Sequence, residues 1–198
     1  MRLVSHNGVA HWPCSFIELG IYEMKIKSIN LPRVEEVSFN FLYDNRTLTS
    51  LVLPSLIRAG GEFLFRNEVL TSMHLPKLVQ AGRNFLFSNL KLASIDLPSL
   101  TQVGENFLYD NPEITSLDFP CLVQVEEGFF YSSSRSLTYL DLPSLTVAGY
   151  GCLESSGRLT HIGLPKHESL RHKLLYNNPD ARDLYANPPF YGSRVDPP

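Results

Sequence analysis

Long apolar runs are missing from this 198-residue chain. The longest fall far short of the roughly 18 residues that a helix needs to cross a bilayer, so no membrane span is expected. The opening stretch, MRLVSHNGVAHWPCSF, has one arginine and no continuous apolar segment, which argues against a secretory signal. The expectation is a chain that is cytoplasmic as made, with signal-independent secretion left open. A basic excess is also missing: the net charge is −3, which gives no reason to expect nucleic acid or an acidic membrane surface as partner. Cysteine is scarce. Cys14, Cys121 and Cys152 are odd in number and widely spaced, so they describe neither a disulfide framework nor a zinc site, and a reducing compartment fits them. The chain has no phosphate loop, no dinucleotide fingerprint and no metal-spaced His/Cys cluster, and no cofactor is expected.

What the chain does have is repetition. A Leu-Pro or Phe-Pro pair begins at residues 31, 53, 75, 97, 119, 142 and 164, in steps of 22 residues with a single step of 23. Such a period is the mark of a solenoid, because one unit this short cannot bury enough apolar surface to offset its chain entropy. Aligned on the pair, apolar columns stand two residues before it (Ile29, Leu51, Met73, Ile95, Leu117), three after it (Val34, Leu56, Leu78, Leu100) and ten and eleven after it (Phe41-Leu42, Phe63-Leu64, Phe85-Leu86, Phe107-Leu108). Each column is expected to point inward and to stack from coil to coil into one core. The segment before each pair alternates apolar and polar residues, as in Leu117-Asp118-Phe119, and reads as a short strand that proline then ends. Gly60, Gly82, Gly104 and Gly149, seven after the mark, are expected to mark a turn with positive φ. Asn45, Asn67, Asn89 and Asn111, fourteen after it, are expected to bond turn backbone and stack as a ladder.

The resulting architecture is about seven right-handed coils, with a parallel sheet on one face and turns and short helical turns on the other. Residues 1–25 are expected to form an N-terminal cap, 26–165 the repeats, 166–186 a degenerate C-terminal capping coil and 187–198 a proline-rich tail.

The spacing LxxLxL is visible as Leu48-Leu51-Leu53, Leu70-Met73-Leu75 and Leu92-Ile95-Leu97. With leucine instead of Asn or Cys three residues after the last of these, the chain resembles the bacterial leucine-rich repeats of the Treponema and BspA-like class, which read LxxLxLPxxLxxIGxxAF. The usual Ala-Phe is Phe-Leu here. The resemblance implies a leucine-rich repeat fold and, as one alternative function, an exported effector or surface and adhesion-type protein acting on a host.

The residues themselves point first to a non-enzymatic protein-binding module that uses the sheet face. Outward strand positions place Asp96, Asp118 and Asp141 in one row, with Tyr139 beside them and His74 and His161 at the edges. Carboxylates about 4.8 Å apart repel one another, which a basic protein partner would relieve; the plainer reading is a solvated face. His74 and His161 sit too many coils apart to share a substrate atom, so no catalytic residue is expected. The aromatic column twelve after the mark (Tyr43, Phe65, Phe87, Tyr109, Tyr131) is read as stacking between coils, with an exposed binding stripe as its alternative. Asn45-Arg46-Thr47 is formally a glycosylation acceptor, but Asn45 belongs to the structural column. A truncated remnant of a larger repeat protein remains a further alternative.

Overall fold

A computed structural model describes residues 25–131, 136–153 and 158–164, together with the strand backbones Val4–His6, Val9–His11 and Phe16–Ile17. The described residues contain no helix. They form stacked coils, six of them with two short strands and a seventh described by its front strand. The front strands are Ser28–Asn30, Ser50–Val52, Ser72–His74, Ser94–Asp96, Ser116–Asp118, Tyr139–Asp141 and His161–Gly163. The second strands are Glu36–Val37, Arg58–Ala59, Gln80–Ala81, Gln102–Val103, Gln124–Val125 and Val147–Ala148. Neighbouring coils pair in parallel at the repeat register, for instance Ile95 against Met73 and Val103 against Ala81. At the N-terminal end Val9–His11 joins the front sheet beside Ser28–Asn30, and Phe16–Ile17 joins the second sheet beside Glu36–Val37. The regions expected to form the capping coil and the tail lie outside the described residues.

The core is the set of columns stacked on one another. In the second coil Leu48, Leu51, Leu53, Leu56, Ala59, Phe63 and Leu64 are all buried, and the same places are filled in the next coils. The phenylalanines stack face to face along the axis, with Phe63 4.9 Å from Phe85 and Phe85 5.4 Å from Phe107. These separations match the rise from one strand to the next, so one geometry serves backbone pairing and ring stacking together.

The stretch from eight to thirteen after the mark departs from expectation. In place of a helical turn, every second residue is left-handed: Asn40, Leu42 and Asp44 in the first coil, then Glu62, Leu64 and Arg66, Asn84, Leu86 and Ser88, and Asn106, Leu108 and Asp110, with φ between 51° and 61°. This reversal of hand lets the adjacent Phe63 and Leu64 both face inward, which a plain extended chain forbids. A left-handed leucine costs about 1–2 kcal/mol. Burying its side chain returns about 1.5–3 kcal/mol, and its N–H bonds the preceding coil, as Leu64 N does to Phe41 O at 2.9 Å.

The glycine column needs a corrected explanation. Gly60, Gly82, Gly104 and Gly149 do not have positive φ; they are glycine because the coils touch there. A Cβ at Gly60 would stand 2.6 Å from the Ser38 carbonyl carbon, and one at Gly82 would stand 2.7 Å from that of Gly60. The left-handed glycine lies two residues on, at Gly128 and Gly151, where earlier coils use Asn or Glu.

The asparagine ladder is present. Asn67, Asn89 and Asn111 are buried, and each donates its amide to the preceding coil's left-handed leucine carbonyl: to Leu42 O at 2.8 Å, Leu64 O at 3.0 Å and Leu86 O at 2.8 Å. These are the carbonyls that the reversed backbone turns out of the ordinary ladder, so the side chain completes what the strand cannot. Asn45 is likewise buried, bonding Ile26 through both ends of its amide, and a folded chain offers no room there for a glycan.

Candidate functional site

Alternation in the front strands pushes the first and third residue of each outward, so the chemistry of that face is written by two rows. The first row runs through Ser28, Ser50, Ser72, Ser94 and Ser116 and ends in Tyr139 and His161. The second runs Asn30, Val52, His74, Asp96, Asp118, Asp141 and Gly163. The front sheet is not continuous. Its described strands fall into three ladders, with breaks between Ser50–Val52 and Ser72–His74 and between Ser94–Asp96 and Ser116–Asp118. Ile95, beside the second break, is only partly buried, whereas Met73 and Leu117 are buried.

That break divides the expected carboxylate row. Asp96 is drawn to the other side, where its Oδ2 meets His74 Nδ1 at 2.7 Å. Both partners are about 60% exposed, so the pair contributes little to stability. Asp118 and Asp141 stand in register on the far side of the break. Next to them Tyr139 and His161 stack face to face, with ring centroids 4.4 Å apart and planes 7° from parallel. Gly163 leaves room for the Asp141 carboxylate, since a Cβ there would collide with its Oδ1. Partial burial raises the Asp141 pKa, as does the neighbouring Asp118 charge, while His161 and the Leu142 N–H work in the opposite direction. The six residues therefore form two groups: the exposed pair His74 and Asp96, and a four-residue cluster of Asp118, Tyr139, Asp141 and His161.

The aromatic column twelve after the mark is half-buried and stacked, with Tyr43 4.7 Å from Phe65 and Phe87 4.5 Å from Tyr109. It packs between coils and is not a free stripe. Among the described residues no three His, Cys, Asp or Glu side chains are placed to hold a metal ion, and no helix is long and apolar enough to cross a membrane.

The second sheet carries a feature that the sequence reading passed over. From the first coil to the fifth its outward residues, five after the mark, are polar, and the first four are joined along the axis: Arg58 Nη1 engages Glu36 Oε1, Arg58 Nε donates to Gln80 Oε1 at 3.2 Å, and Gln80 Nε2 donates to Gln102 Oε1 at 3.0 Å. The signal was available in the column Glu36, Arg58, Gln80, Gln102 and Gln124, but without the second sheet those positions read as ordinary turn polarity.

Comparison with known proteins accords with this architecture. The pattern described as a BspA type leucine-rich repeat region matches residues 20–111 and 59–181, in six copies. A leucine-rich repeat protein from Bacteroides ovatus superposes with a TM-score of 0.52 at 18% identity, over 84% of this chain and 56% of that one. The chain thus spans little more than half the length of that protein. A leucine-rich cell surface protein from Faecalibacterium prausnitzii is 16% identical over 82% of this chain and 68% of its own, with a TM-score of 0.34. No curated protein matches the chain.

Proposed function

Since the chain belongs to the BspA-type leucine-rich repeat family, we propose that it is a non-enzymatic binding module that engages a basic protein surface through the front sheet. The observation that carries this reading is the cluster at the C-terminal side of the front break. There Asp118 and Asp141 are held in register against mutual repulsion, beside the stacked rings of Tyr139 and His161. A lysine or arginine reaching the two carboxylates would remove that repulsion, and the aromatic pair would supply apolar contact beside it. Aromatic side chains are enriched in interface cores, and polar groups in the rims around them. His74 and Asp96, paired on the other side of the break, offer the same partner an outlying contact.

The test is capture by the full chain from a cell extract, with wild type and the Asp118→Lys/Asp141→Lys double variant run side by side and read by mass spectrometry. A basic protein held by the wild type and lost from the variant, at unchanged melting temperature, is the expected result. Equal capture by both proteins would remove the front cluster as the contact.

A further inference from the structure

Along the second sheet runs an open groove of about 760 Å³, reaching from Glu36 in the first coil to Glu126 in the fifth. Its floor is the glycine column, where the coils press together so closely that no side chain fits. One side is the polar relay of Glu36, Arg58, Gln80 and Gln102. Beyond the glycines stand Phe39, which is 56% exposed, and Arg83, whose guanidinium lies 6.0 Å from the Phe39 ring centroid. The charged lining residues Glu36, Glu126, Arg58 and Arg83 balance one another.

We propose that this groove binds a neutral, linear, β-linked glycan lying along the solenoid axis. Spacing is the first argument. Equivalent groups recur at the coil rise of about 4.8 Å, whereas an extended polypeptide presents side chains to one face every 6.7 Å or so and falls out of step within two coils. The rise per sugar of an extended β-linked glycan is close to that of the coils, and although successive sugars alternate in facing, the chain stays in step with the coils along the groove. The floor gives the second argument: peptide grooves choose between side chains with pockets, and a line of glycines offers none. A polymer of like units requires none. Balanced charge gives the third, since it favours a ligand without net charge. Glutamine and arginine side chains offer donors and acceptors suited to hydroxyl groups, and the exposed Phe39 ring provides a platform for the apolar face of a sugar. Addition of a peptide strand is also blocked, because the inner strands of this sheet are paired on both sides. From the first coil to the fifth there are four steps, or roughly 19 Å, room for about four sugars.

The full chain is titrated calorimetrically with cellohexaose, xylohexaose and chitohexaose, with the trisaccharide of each, and with an extended Thr-Val peptide. At least one hexasaccharide is expected to bind, and its trisaccharide to bind about tenfold more weakly. Phe39→Ala and Gln102→Ala, both exposed sites, should each weaken binding by about fivefold or more at unchanged melting temperature. Asp118→Lys on the front sheet should leave it untouched. Failure of all three hexasaccharides to bind overturns the proposal, as does binding indifferent to Phe39 and Gln102. Preference for the peptide in the same groove overturns it in favour of a peptide site. None of these results bears on the front cluster, so the two surfaces stand or fall separately.

Discussion

Front and second sheets come from the same 22-residue unit, yet they are held to different standards. The second sheet has two-residue strands and runs as one ladder from Phe16–Ile17 to Val147–Ala148. The front sheet has longer strands and is split into three ladders among the described residues. Close approach explains the difference. At the glycine column the backbones of adjacent coils meet, and nothing can be added without displacing main chain. On the front face the side chains point into open solvent, so serine, tyrosine, histidine and aspartate all fit, and pairing can lapse between coils. One sheet fixes the spacing of the solenoid. The other is free to vary, and a surface that can vary is one that can be fitted to a partner.

The sharpest way to break this comparison is to put a methyl group on each side. Gly82→Ala should destabilise the chain by about 3 kcal/mol, because its Cβ meets rigid backbone, whereas Ser94→Ala on the front row should stay within about 0.5 kcal/mol. Urea titration of both variants measures the contrast, and comparable losses would mean that the glycine contacts relax. Next in size is Asn89→Ala, which strands the Leu64 carbonyl and should cost about 2 kcal/mol. A smaller gain is expected from Glu62→Gly. It relieves a φ of 60° and should raise stability by about 1 kcal/mol, bringing the second coil into line with Gly128 and Gly151 of later coils. The least effect belongs to the front cluster and is one of direction. Because the Asp141 pKa is raised, the folded chain keeps that proton to higher pH than the unfolded chain does. Its contribution is therefore complete below the ordinary carboxylate value and is lost as pH rises through the raised one. Asp141→Asn should flatten that part of the pH–stability curve, measured by thermal melts across the acid range, and a steeper curve would assign the raised pKa elsewhere.

Much of this was legible beforehand. The Leu-Pro mark placed the front strands, and the apolar columns anticipated the core from Ile29 to Leu145, with Ile95 beside the second break as the exception. The asparagine column was read correctly as a ladder, although not which carbonyls it serves. Three features could not be read from the pattern. Alternating handedness at Leu42, Leu64, Leu86 and Leu108 is hidden because leucine is among the residues least expected there; only burial and inter-coil hydrogen bonding outweigh its local preference. Glycine seven after the mark was noticed, but conformational freedom and close approach leave the same letter in a sequence. Among the site residues, Asp96, Asp118 and Asp141 occupy equivalent places in the unit, and nothing in the repeat says that the ladder lapses between the first two.

By itself, then, the sequence determined the period, the inward columns, the front strands and the identity of their outward side chains, because each depends on spacing within one unit and on which residues water rejects. Only the tertiary structure decided the hand of the backbone at the buried leucines, the second sheet and its groove, and the pairing of Asp96 with His74 while Asp118 faces Asp141. Those depend on how one coil rests on the next, and the free energy of that contact is shared between two units that no single unit describes.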